Sequence, residues 1–123
     1  MIVRGEIELS NALMPEMQAY RAAALVDSSV MNLCIPENLA RRLQLKQVEE
    51  RKVISSNGSA IKVPYAGPLK VSFQNRSCFT GALVFGDEVV LGNIPIQDMD
   101  LIIAKEQLVL SPKHVVSMSN VVI

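Results

Sequence analysis

The chain has 123 residues, half of them hydrophobic, the composition of a globular chain that can bury its own core, and one domain over residues 1–123 is expected. Twelve lysines and arginines balance twelve aspartates and glutamates, and no basic cluster extends beyond Arg41-Arg42, which argues against nucleic acid as the main partner. The apolar stretches are interrupted by Asp27 or broken by Gly and Pro, so no membrane span is expected, and the opening Met1-Ile2-Val3-Arg4-Gly5-Glu6 lacks a secretion signal's apolar stretch; the expected location is the cytoplasm.

From Val3 to Ser10, the apolar Val3, Ile7 and Leu9 alternate with Arg4, Glu6, Glu8 and Ser10, the two-residue period of a half-buried strand. A turn around residues 11–16 leads to a second strand from about Gln18 to Val26. That strand ends in Ala24-Leu25-Val26-Asp27-Ser28-Ser29, which puts an ionisable carboxylate at the end of an apolar run. Charge is expensive to bury, so a carboxylate kept there is paired, hydrogen-bonded or chemically employed. Ser28 and Ser29 can hydrogen-bond to it, and the plain alternative is a strand-end Asx-turn.

A third apolar run spans Val30 to Ile35. Pro36, with Leu39 and Leu43 four apart, then predicts a short amphipathic helix ending near Leu45. Two β runs, Arg51 to Ser55 and Ala60 to Tyr65, flank Ser56-Asn57-Gly58-Ser59, and Asn-Gly is the strongest short hairpin signal. Pro64 and Pro68 punctuate the chain before Leu69, Val71 and Phe73 alternate with polar residues. Turns at Asn75-Arg76 and Gly86-Asp87-Glu88 bound a strand from Cys78 to Phe85, and Val89-Val90-Leu91-Gly92 follows. One helical turn at 94–99 then gives way to strand-like 101–104, 108–110 and 115–122. The expected fold is mostly β and barrel-like, with one or two short helices and no convincing internal repeat.

Cys34 and Cys78 lie among apolar residues and are expected to be free, buried thiols. His114, the single histidine, has no local setting that suits a catalytic pair. No zinc-type spacing or phosphate-cradling glycine loop occurs, and Asp87, Glu88, Asp98 and Asp100 match no calcium loop, so neither metal nor cofactor is expected. The scattered methionines Met14, Met17, Met31, Met99 and Met118 read as filler.

Taken in order, the Asp-Ser at a strand end, the Ile35-Pro36-Glu37 helix start, the Asn57-Gly58 hairpin and Val90-Leu91-Gly92 before a short helix form a set. That set resembles the retropepsin-like aspartic proteases, most closely the small single-domain bacterial members. Ala24 to Leu45 looks like the segment Ala-Leu-Val-Asp-(Thr/Ser)-Gly-Ala…Ile-Pro…Leu-Gly-Leu, Ser56 to Pro68 like the flap hairpin, and Val89 to Ile103 like the Leu-Gly…Asp-Leu-Val element. The resemblance implies a closed, barrel-like acid protease fold and a homodimeric aspartic endopeptidase. Its catalytic dyad would be Asp27 from each of two copies, and its substrate a peptide or protein bound as an extended strand. It further implies that Ser28 and Ser29 support the active-site loop, that Ser56, Asn57 and Gly58 form the flap tip, and that Leu91 and Gly92 support the cleft floor. Strands Ile2 to Leu9 and Val115 to Ile123 would pair between copies.

Three positions depart from the pattern. Ser29 stands where the family has Gly, Val30 where it has a small Ala, and Gln44 where it has the Gly of Leu-Gly-Leu. Ser29 and Val30 crowd the dyad and give a second expectation: the same fold and dimer, catalytically weakened or inactive, acting as a peptide-binding or scaffolding module.

Overall fold

A computed structural model describes residues 2–112; the expected strand at 115–122, His114 and Met118 lie outside the described residues. Strand β1 (Val3–Asn11) follows its sequence period, burying Val3, Ile7, Leu9 and Asn11 and exposing Arg4, Glu6 and Glu8. It pairs antiparallel with β2 (Tyr20–Val26), from Val3 opposite Val26 to Leu9 opposite Tyr20. Next come β3 (Leu33–Ile35), α1 (Glu37–Arg42), β4 (Lys46–Ile54), β5 (Ala60–Phe73) and β6 (Arg76–Val84). The described chain ends with β7 (Val90–Leu91), α2 (Asn93–Asp98) and the small hairpin β8 (Leu101–Ala104) and β9 (Gln107–Leu110).

The main sheet runs β1-β2-β7-β3-β6-β5-β4, and β5 also pairs with β1, so six of these strands close into a barrel with β4 hanging outside it. Closure leaves the barrel strands no free edges. The β2–β7 and β3–β6 pairings are parallel. Ile7, Leu9, Leu33, Ile35, Leu43, Leu69, Val71, Leu91 and Met99 fill the interior and are almost wholly buried. The protein is therefore mostly β and barrel-like with two short helices among the described residues. No helix among these residues is long and apolar enough to cross a membrane.

Several expectations shift, among them the hairpin arm expected from Arg51, which already begins at Lys46 because the helix stops at Arg42. The run expected from Val30 forms a strand only over Leu33–Ile35, because residues 27–32 turn back on themselves: the Val30 N–H donates to the Asp27 carbonyl at 3.2 Å. The prolines do not end β5. Pro64 lies opposite Glu50, before the point where β6 joins at Tyr65, and Pro68 lies in the register shift between Ala66 and Leu69. Proline, with no N–H to give a ladder, is accommodated at such interruptions.

Both helices end on a left-handed residue whose N–H reaches the carbonyl three residues back. Helix α1 closes with Gln44 N–H on the Arg41 carbonyl at 3.0 Å and Leu45 N–H on the Ala40 carbonyl at 3.1 Å, while Gln44 sits at φ 55°. This double bond with a left-handed residue is a Schellman stop. Helix α2 ends with Asp100 at φ 57°, its N–H on the Gln97 carbonyl. A distant side chain then covers each end: buried Asn11 donates to the Leu43 and Gln44 carbonyls at 3.0 and 3.2 Å, and Arg76 to the Asp100 carbonyl at 2.6 Å. The units β3-α1 and β7-α2 thus share one construction, with helix-end carbonyls left over by the helix satisfied from the barrel wall.

Candidate active site

The end of β2 carries Asp27 to the surface and β7 holds it there. Leu25 N–H donates to the Val89 carbonyl at 2.9 Å and Asp27 N–H to the Leu91 carbonyl at 3.1 Å. The start of α2 grips the next residues, with Asn93 N–H on the Val30 carbonyl at 2.7 Å and Ile94 N–H on the Met31 carbonyl at 2.8 Å. Only glycine fits between them. A Cβ on Gly92 would stand 2.1 Å from the Asn32 carbonyl oxygen and 2.7 Å from that of Val30. Leu91, fully buried, and Gly92 therefore lie directly against the Asp27 loop.

The Asp27 carboxyl is partly exposed and bonded within its own turn. Its Oδ1 accepts the Ser29 hydroxyl at 2.6 Å and the Ser29 N–H at 3.0 Å. The backbone bond makes an Asx-turn, and both bonds favour the charged form. The Ser29 hydroxyl first, and its N–H second, hold the Asp27 carboxyl below its ordinary range against a smaller opposing effect of burial. None of Ser28, Ser29 or Val30 has a positive φ, so serine occupies position 29 without left-handed strain. Ser28 is exposed, and its hydroxyl makes no side-chain hydrogen bond among the described residues. No acidic side chain other than Asp27 occurs in residues 27–32 or 89–95, the segments that build this loop.

The β4–β5 hairpin forms where Asn-Gly predicts it, but its tip spans Ser55 to Ser59. Gly58 takes φ 86°. The Asn57 carboxamide oxygen faces back into the turn, accepting the Ser59 N–H at 3.0 Å and the hydroxyls of Ser55 and Ser59. Ser55 and Ser59 are thus as much a part of the tip as Ser56, Asn57 and Gly58; the sequence placed Ser59 in the turn but Ser55 at the end of the strand before it. A type I′ turn would need positive φ at both Asn57 and Gly58; here only Gly58 takes it, and the Asn57 and serine side chains brace the bend.

The hairpin and the Asp27 loop meet through a second apolar cluster, separate from the barrel core. Buried Cys34, Val63 and Leu83 pack there with Val30, Val53, Tyr65 and Val90. The Arg51 guanidinium stacks over the Tyr65 ring at 3.6 Å, and the ring lies against Gly81, where a Cβ would come within 2.3 Å. A cavity of about 190 Å³ opens beside the loop, lined by Val30, Cys34, Val90, Phe85 and the 86–88 turn. The sequence reading missed Cys34 and Phe85 as residues that line the cavity, and Val53 and Val63 as members of the cluster behind it. Their alternation marks them as strand residues but does not tell which barrel face carries a cleft.

Cys34 and Cys78 are free and buried. Burial pushes the Cys34 thiol up to about 11; burial, aided by the Asp98 carboxylate, pushes Cys78 up to about 12. Neither is a thiolate near neutral pH. Among the described residues no group of three or more His, Cys, Asp and Glu side chains is placed to hold a metal ion. Compared with known proteins, the chain matches no family model and no curated protein.

Proposed function

We propose that the protein is a retropepsin-like aspartic endopeptidase acting as a homodimer, in which each copy contributes Asp27. The observation that carries this reading is the Asp27 carboxylate itself: accessible, held on Oδ1, and set in a loop pinned by β7 and Gly92 beside an apolar cavity and a hairpin. One carboxylate can accept a proton but cannot also supply one, and peptide hydrolysis by this chemistry needs both acts at once. A two-fold axis beside Asp27 supplies the missing acid from an identical chain. Met31 and Ile94, hydrogen-bonded to one another through their backbones next to the loop, are 59% and 40% exposed and support a second copy covering them.

In this reading the pair of Asp27 carboxyls shares one proton. A water between them gives a proton to the ionised carboxylate while its oxygen bonds to the scissile carbonyl carbon. The protonated Asp27 of the partner subunit gives its proton to the carbonyl oxygen, and a neutral gem-diol forms. Collapse of the gem-diol breaks the C–N bond, the amine nitrogen takes a proton from the dyad, and a second proton returns from the diol to restore it. The substrate lies extended between the Asp27 loops and the Ser55–Ser59 tips, with an apolar side chain in the cavity beside Val30 and Val90. The working location is the cytoplasm, where Cys34 and Cys78 stay reduced.

Cleavage of a diverse peptide library at high protein concentration, from mildly acidic to neutral pH, tests the reading, with Asp27→Asn alongside. Cleavage by the wild type that is lost in the variant is the expected result. Wild-type dimer that cleaves nothing above the variant's background sinks the peptidase and favours the peptide-binding module.

A further inference from the structure

The reacting loop differs from the family pattern at Ser29, and the hydroxyl that replaces a hydrogen there does not point away. It donates to Asp27 Oδ1 at 2.6 Å, on the same oxygen that takes the Ser29 N–H at 3.0 Å. Oδ2 accepts no protein hydrogen bond among the described residues. The two carboxylate oxygens are therefore unequal before any partner or substrate arrives.

We infer that Ser29 is a positioning residue, whose hydroxyl locks the Asp27 carboxylate in one orientation and leaves Oδ2 as the oxygen that meets the water or the second carboxyl. The inference rests on the aspartic-peptidase reading of Asp27 and deepens it. A glycine would supply the N–H alone and leave the carboxyl freer to turn; the serine adds a second donor, which strengthens the hold on the charged form. The direction agrees with the lowered position of the Asp27 carboxyl, for which the Ser29 hydroxyl is the largest cause. The nearest acidic groups on neighbouring elements are Asp87 and Glu88, in the turn that lines the cavity beside Val30 and Val90. Loop residues 28–32, β7 and the first turn of α2 up to Pro95 carry no ionisable side chain near neutral pH. On β1, opposite Leu25, stands Arg4, already paired with Glu88 at 2.6 Å.

In a dyad the consequence has a definite sign. Each hydroxyl bond favours ionisation, so the shared proton leaves at lower pH than it would without Ser29, and the upper limb of the activity profile lies further to the acid side.

The test is a titration of the Asp27 carboxyl carbon by NMR in full-length wild type, Ser29→Ala and Ser29→Thr, with Asp27→Asn identifying the signal and amide spectra checking the fold. The expected result is a midpoint at higher pH in Ser29→Ala and a return toward wild type in Ser29→Thr, which keeps the hydroxyl. A Ser29→Ala midpoint equal to wild type, or equal displacement in both variants, overturns the inference. In the cleavage assay, the upper limb of the pH profile of Ser29→Ala should move to higher pH. Failure of the peptidase reading looks different: the wild type cleaves nothing while the titration difference between wild type and Ser29→Ala persists.

Discussion

Gly92 is where one side chain's absence decides the geometry of the whole site. With the Asn32 carbonyl oxygen 2.1 Å from the place a Cβ would take, neither neighbour is a flexible tip that can swing aside; both are backbone. Gly92→Ala must push the start of α2 off the Asp27 loop and loosen the bonds from Asn93 and Ile94. Overpacking that moves backbone costs about 1–3 kcal/mol, and contacts this short place Gly92→Ala toward the upper end. Denaturant unfolding of Gly92→Ala should show that loss, together with loss of cleavage; a variant within about 0.5 kcal/mol of wild type would mean that the loop is not pinned there. The sequence already pointed to Asp27, because a carboxylate after an apolar run is a local signal, whereas Leu91 and Gly92 gained a role only through the family resemblance. The Ser29 bond to Asp27 was legible only as a possibility. Which hydroxyl of Ser28-Ser29 turns inward depends on φ and ψ, not on residue type, and Ser29 is the one that does.

Among the elements, the ends of the helices and hairpins carry the strain. Gln44 and Asp100 close α1 and α2 in the left-handed region, and Lys105 and Glu106 turn β8 into β9 at φ 51° and 62°. A side chain with a Cβ pays about 1–2 kcal/mol for that conformation. Gln44→Gly should therefore stabilise the fold by about 0.5–1 kcal/mol, the gain being trimmed by glycine's extra freedom when unfolded. The Asn11 bonds reach the backbone carbonyls of Leu43 and Gln44 and survive the change. A rise of a few degrees in the melting midpoint, about 2–6 °C, is the expected reading, and a fall would show that the Gln44 side chain does more than tolerate its φ. The strand period was plain in β1 and the helix start plain at Pro36. The two-residue turn at Lys105-Glu106 was not, since neither residue is a usual type I′ turn former and tertiary closure forces both. Continuity of β5 through Pro64 and Pro68 was hidden for the same reason: whether a missing N–H matters depends on which neighbour strand lies opposite.

For the molecule as a whole, barrel closure by β5 on β1 joins residues some sixty positions apart in the chain, and no local pattern announces it. What the period did establish was the composition of the walls, enough for a barrel-like, mostly β expectation. Asp27 links this scale to pH. In the single chain its folded-state carboxyl sits below the ordinary value, so its contribution to stability is present at neutral pH and is lost as pH falls through that lowered value. The proposed dimer adds the opposite trend. Two ionised carboxylates facing each other repel, so association should weaken as pH rises through the upper apparent pKa of the pair and strengthen as the shared proton returns. Sedimentation of the wild type across that range should show tighter dimers at the acid end, and Asp27→Asn should remove the dependence. Dimer affinity that is flat with pH in both would deny a close pair of carboxyls.

Mixing the two chains tests the shared site most directly. A fixed amount of wild type, allowed to exchange subunits with increasing Asp27→Asn, should lose cleavage progressively toward zero, because a mixed dimer holds one carboxylate and one amide and cannot share a proton across the axis. Cleavage that stays constant as the variant is added, with subunit exchange verified, would contradict a site built from two copies of Asp27.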